Sequence, residues 1–132
     1  MAKISVKELV RQANEIVETI DADTALTGQA SGNHCLVDIR DIRELHREGT
    51  VENSRHVPRG MLEFWFDEAS PYHKPYLADD QTKYVLYCAS GWRSALSAKT
   101  LLDMGFDNIA HVNGGFSALK DAGAKIAAVE KK

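Results

Sequence analysis

At 132 residues, with 44% hydrophobic and 27% charged residues, the chain has the composition of one globular domain, able to bury roughly two-thirds of its unfolded surface without a disulfide or metal. A net charge of −3 and a pI near 5.9 offer no basic stripe to a phosphate backbone, which excludes nucleic acid as an expected partner. No stretch is apolar and long enough for a signal peptide or a membrane span, so the expectation is a cytoplasmic protein with no membrane partner.

In chain order, Ser5-Val6-Lys7-Glu8 reads as a capping box, and Leu9, Val10, Ala13, Ile16, Val17 and Ile20 keep helical spacing, which predicts a helix over residues 5–20. The polar stretch from Asp21 to His34 reads as a loop with at most one helical turn. Cys35-Leu36-Val37-Asp38 is a short apolar run without alternation, as in a strand buried on both faces. Asp41 to Glu44 caps a short helix that closes near Gly49. Arg55-His56-Val57-Pro58 reads as a brief extended segment, and Met61 to Phe66 as an apolar helical turn. Pro71 and Pro75 hold a loop through about Gln81. Lys83 to Tyr87 is the clearest strand, followed by a helix whose apolar positions run from Ala95 to Met104 and end at Gly105. Asn108 to Val112 predicts a strand, Gly114-Gly115 a turn and Phe116 to Ala122 a last short helix. The Lys131-Lys132 tail reads as a solvated terminus. Strands alternating with helices predict an α/β domain spanning residues 1–132, with a mainly parallel sheet of about five strands and helices on both faces.

The chemistry concentrates at Cys88-Ala89-Ser90-Gly91-Trp92-Arg93-Ser94. A buried strand ends in a cysteine, a short glycine-containing loop follows, and then a helix begins. The first amides of that helix lack intrahelical partners and the helix dipole adds positive charge, so amides from Ala89 to Arg93 converge on the sulfur or on an anion beside it. Such a position favours the thiolate at neutral pH, which makes Cys88 the candidate nucleophile. Gly91 admits a backbone conformation closed to other residues, and Arg93 places a permanent cation where an oxyanion docks. Cys35 has no such loop and reads as a packing thiol. The two cysteines form neither a disulfide framework nor a zinc site, and the five histidines form no metal constellation.

Four segments carry a family resemblance. Leu36-Val37-Asp38-Ile39-Arg40 is an apolar strand ending in Asp-x-Arg. His56-Val57-Pro58-Arg59-Gly60 is similar to a His-Ile-Pro-Gly element, with Arg59 as an insertion. Cys88 to Ser94 fits Cys-x-x-Gly-x-Arg-Ser, and Val112-Asn113-Gly114-Gly115-Phe116 fits a closing Gly-Gly-aromatic element. Over roughly residues 34–123 the sequence thus resembles the rhodanese family, with residues 124–132 left as a C-terminal tail. The resemblance implies a rhodanese-like fold and a sulfurtransferase without a cofactor. Cys88 would take sulfane sulfur from a small-molecule donor such as thiosulfate, become a persulfide, and pass the sulfur to a thiol, to cyanide or to an acceptor protein.

Two other functions use the same parts. A phosphatase or arsenate reductase also places Cys and Arg in an anion loop, but those relatives resemble C-x5-R, whereas four residues separate Cys88 from Arg93. A non-catalytic rhodanese-like binding or regulatory module is the other alternative, against which stand Cys88, Gly91 and Arg93. Asp38 and Arg40 end a buried strand near the loop and read foremost as a structural ion pair bracing it, together with Ser94. Trp65 and Trp92 are candidate pocket walls. His56 and His111 read as hydrogen-bonding and packing residues.

Overall fold

The computed structural model describes residues 2–131; Met1 and Lys132, the last residue of the basic tail, lie outside the described residues. Ser5 caps α1 (Val6–Ile16) by accepting from the Glu8 amide at 3.0 Å. The Glu8 carboxylate binds Arg11 and Gln12 rather than returning to the cap. The helix ends earlier than its spacing predicts: Val17 is extended, and β1 (Glu18–Ile20) pairs in parallel with Ala110–Val112. The stretch expected to be a loop is α2 (Ala22–Ser31), capped by Asp21, whose side chain accepts from the Thr24 amide, and closed by Gly32 in the left-handed region.

β2 (His34–Asp38) and α3 (Ile42–Glu48) follow, the latter with a full capping box between Asp41 and Glu44. Next come β3 (Thr50–Val51), β4 (Arg55–His56), a 3-10 turn at Arg59–Met61 and α4 (Leu62–Phe66). After a second 3-10 turn at Pro75–Leu77 the chain forms β5 (Lys83–Tyr87), α5 (Trp92–Asp103), β6 (Ile109–Val112), α6 (Gly115–Asp121) and β7 (Ile126–Ala127).

Five strands form one parallel sheet in the order β1-β6-β5-β2-β4. β3 and β7 form a separate antiparallel ribbon, so the C-terminal segment is a pairing strand rather than a plain tail. One sheet face packs Val37, Leu86, Leu62, Phe66, Ala98 and Leu101 under α4 and α5, with α1 laid on α5 through Val10, Ala13 and Ala95. The opposite face packs Leu36, Val85, Tyr87, Ala110, Phe116 and Leu119 under α2 and α6. Because the strands are parallel, Asp38, Tyr87 and Val112 all end at one sheet edge, where crevices form in such folds. No described helix is long and apolar enough to cross a membrane.

Candidate active site

Cys88 is the first residue past β5, and Gly91, at φ 117°, is the N-cap residue immediately before α5. That conformation is strained for any residue with a Cβ, and it turns the loop back over the sulfur. The Gly91 amide donates to Cys88 Sγ at 3.1 Å and the Ser94 amide at 3.4 Å. Both are orphan donors at the start of a twelve-residue helix, so they and the dipole act together on the sulfur. Cys88 is only 1% exposed.

The loop is also gripped from the far side. The Phe116 amide donates to the Cys88 carbonyl at 2.7 Å and the Ser117 amide to the Ala89 carbonyl at 3.4 Å. A Cβ on Gly115 would stand 2.4 Å from the Cys88 carbonyl oxygen. The Gly-Gly-aromatic element is therefore a backbone clamp on the loop.

Arg93 differs most from the sequence expectation. Its Nη1 and Nη2 donate to the two Glu44 oxygens at 2.7 and 3.0 Å. Those bonds hold the Glu44 carboxyl below the usual carboxylate range and raise Arg93. The cation expected to face an incoming oxyanion is neutralised by a carboxylate that the sequence places 49 residues away. Glu44 gives no signal of this in sequence, because its capping-box role already accounts for it.

Ser94 is fully buried, and its Oγ lies 3.6 Å from Cys88 Sγ and 2.9 Å from His111 Nδ1. Burial alone holds the His111 imidazole well below its ordinary range, at about 4. A histidine inside the otherwise apolar strand Ile109-Ala110-His111-Val112 is a legible signal of a buried polar contact, although its partner is not.

Asp38 and Arg40 are fully buried and pair with each other at 2.8 Å. Arg40 also donates to Glu48 at 2.8 Å and to the Gly49 carbonyl at 2.7 Å, and lies over the Phe116 ring at 4.0 Å. Thr50 donates to Asp38 at 2.8 Å and bonds the Tyr87 hydroxyl at 2.9 Å. Burial, and then the Asp38 charge, push the Tyr87 phenol above its usual range. His56 donates to the Arg40 carbonyl at 2.7 Å. This network ties β2, β3, β5 and α6 together, and none of these contacts reaches Cys88 Sγ.

Two cavities border the loop. One of about 330 Å³ is lined by Ala89, Phe116, Lys120 and Glu48. The other, of about 350 Å³, is lined by Ser90, Gly91, Trp92, His111, Asn14 and Thr19. Trp92 is half exposed and walls the second. Trp65 lines neither: it packs on the core below α4 with Lys74 Nζ 5.0 Å over its ring. Arg59, the inserted residue, pairs with Glu63 at 2.8 Å. Cys35 is partly buried at the far end of the sheet, and that burial raises its thiol.

Comparison with known proteins agrees with this architecture. The rhodanese-like domain family matches residues 21–122. HIGH ARSENIC CONTENT 1, a mitochondrial protein of Arabidopsis thaliana, is 30% identical over 115 residues, and the match covers 83% of this chain. The chain spans 65% of the length of that curated relative. Among solved structures, a Rhodopseudomonas palustris CGA009 protein of unknown function, described as a possible tyrosine phosphatase, superposes with a TM-score of 0.88 at 44% identity, covering 96% of this chain and 97% of that one. A rhodanese-related protein from Thermoplasma volcanium gives 0.66 at 25% identity, covering 83% and 97%. The thiosulfate sulfurtransferase of Pseudomonas aeruginosa shares the fold, with a TM-score of 0.74 at 21% identity over 95% of this chain and 22% of that one.

Proposed function

Because the chain belongs to the rhodanese-like domain family, we propose that it is a sulfurtransferase carrying sulfane sulfur from a donor such as thiosulfate to a thiophilic acceptor through Cys88. The observation that supports this reading is the two-amide cradle on Cys88 Sγ at the start of α5. In the proposed reaction the Cys88 thiolate attacks the outer sulfur of thiosulfate. The donor's S–S bond breaks, its electron pair leaves on sulfite, and Cys88 becomes a persulfide anion. An acceptor thiolate or cyanide then attacks the outer sulfur, and Cys88 departs as the thiolate. Amides fixed in advance on one sulfur, in a site closed to water, stabilise an anion without reorganising.

A second reading draws on the relatives described as a possible tyrosine phosphatase and named for high arsenic content: an oxyanion substrate, phosphate ester or arsenate, in the same loop. Against it stand the four-residue spacing and the engagement of both Arg93 terminal nitrogens by Glu44.

A single-turnover experiment tests both. Thiosulfate is expected to release one sulfite per chain and to add the mass of one sulfur atom to Cys88. Cys35→Ser keeps both signals and Cys88→Ser loses both, since a serine hydroxyl is not ionised here at neutral pH. Cys88-dependent hydrolysis of p-nitrophenyl phosphate, or arsenate-dependent consumption of a thiol, without any persulfide would put the oxyanion reading first. Silence in all three assays would leave a binding module.

A further inference from the structure

Cys88 is sealed from solvent, yet a chain of polar groups leads from its sulfur to a cavity on the surface. Ser94 Oγ lies 3.6 Å from Cys88 Sγ and 2.9 Å from His111 Nδ1. His111 Nε2 faces Asn14 Oδ1 at 2.9 Å and Thr19 Oγ1 at 3.1 Å. The Thr19 hydroxyl can donate or accept, so the Asn14 amide, oriented with Oδ1 towards the ring, sets the tautomer. An amide oxygen only accepts, so Nε2 carries the proton and donates to Asn14. Nδ1 is then bare and, at 2.9 Å against 3.3 Å for the Gly91 carbonyl, is the nearer acceptor for the one Ser94 hydroxyl proton, which leaves a Ser94 lone pair facing the thiol. Every link points one way, from thiol to hydroxyl to imidazole, and the imidazole borders the cavity of about 350 Å³ beside Trp92.

We infer that Ser94 and His111 take up the proton of Cys88 when its sulfur becomes an anion. The thiol proton passes to Ser94 Oγ while the Ser94 proton passes to His111 Nδ1. No other atom or electron changes place. What remains is a sulfur anion accepting from the Ser94 hydroxyl as well as from the amides of Gly91 and Ser94, and an imidazolium whose Nδ1–H donates to Ser94 Oγ. The same set of donors serves a persulfide anion, so the inference rests on the sulfur-carrier reading of Cys88. The groups facing His111 are neutral: Asn14 from α1, Thr19 from β1, Ser94 from α5 and, across the sheet on β5, Leu86. The imidazole is therefore a free base while Cys88 is a thiol, and the counter-charge that stabilises its protonated form is the sulfur anion itself. Ser94, in contact with the sulfur, is a catalytic residue, whereas His111 acts through Ser94 as a positioning residue.

Imidazole ¹⁵N spectra of the whole protein test this directly. The neutral Nε2–H tautomer is expected in the thiol form and in Cys88→Ala, and a His111 protonated on both nitrogens is expected at neutral pH once Cys88 carries a persulfide. A His111 that stays neutral in the loaded protein overturns the inference. Iodoacetamide labelling of Cys88, in a Cys35→Ser background, needs no sulfur donor. His111→Asn keeps an acceptor for Ser94 but no base, so it and Ser94→Ala should each slow labelling on the order of 10²-fold. The double variant should be no slower than the slower single, as for residues acting as a unit. Unchanged labelling, or losses that add, also overturns it. If labelling follows this pattern while no donor loads the wild type, the relay stands and the sulfurtransferase reading falls.

Discussion

At Gly115 a Cβ would stand 2.4 Å from the Cys88 carbonyl oxygen and 2.8 Å from the Ala89 backbone, at a φ of +59°. None of those atoms is the free end of a side chain, so the loop itself would have to move. Gly115→Ala is expected to cost roughly 2–4 kcal/mol in urea unfolding and to slow persulfide formation. Gly123→Ala is the control, because Gly123 shares a positive φ but a Cβ placed there would meet nothing within 4 Å. That variant should lose only about 1–2 kcal/mol from backbone strain, with single-turnover rates preserved. Equal losses in the two variants would mean that the grip of α6 on the loop is slack. The sequence shows Gly114-Gly115-Phe116 as a motif, but what the motif touches depends on β5 and β6 lying side by side, which no local pattern records.

The pairing of Arg93 with Glu44 is a bond between elements, joining the start of α5 to α3. Because the Arg93 charge is already balanced, Arg93→Ala should slow an anionic and a neutral sulfur donor by similar factors in parallel single-turnover assays. With the Arg93 side chain 42% exposed, a double-mutant cycle with Glu44→Gln should return a coupling near ~1 kcal/mol. A loss confined to the anionic donor would instead show the guanidinium free to dock substrate. Element by element, the strands β2, β5 and β6 and the helices α3 and α5 are legible because each has a long apolar run or an explicit cap. The end of α1 is not: Val17 and Ile20 continue the helical period by coincidence, and β1 is too short for alternation to show. α2 escapes for another reason. Its buried face is Ala22, Ala25 and Gly28, small residues that allow close packing but register weakly as a hydrophobic stripe. At Gly28 the His34 ring occupies the space of a Cβ, 1.9 Å from where that atom would lie. Only Asp21 and Gly32, the caps at its two ends, are written plainly in the sequence.

For the molecule as a whole, the buried His111 couples stability to pH. Unfolded, its imidazole takes up a proton near ~6.5; folded, it does so only at about 4. Between those values the unfolded chain holds more protons, so this contribution is present above about 6.5 and is lost as the pH falls towards the lower value. The slope is at most about 1.4 kcal/mol per pH unit. Urea unfolding should therefore show the wild type weakening from neutral to mildly acidic pH more steeply than His111→Asn, and parallel curves would contradict this. The sheet register carries another whole-molecule consequence. Cys35 lies opposite Tyr84, whereas Cys88 follows Tyr87, so four residues of strand, about 13 Å, divide the two thiols. A disulfide spans roughly half that distance between Cα atoms. Under peroxide a sulfenic acid at Cys88 thus has no resolving cysteine within its own chain, and its fate is set by the surrounding medium. Mass spectrometry should find a mixed disulfide when a small thiol is present and irreversible sulfinic acid when it is not, with no Cys35–Cys88 bridge in either case.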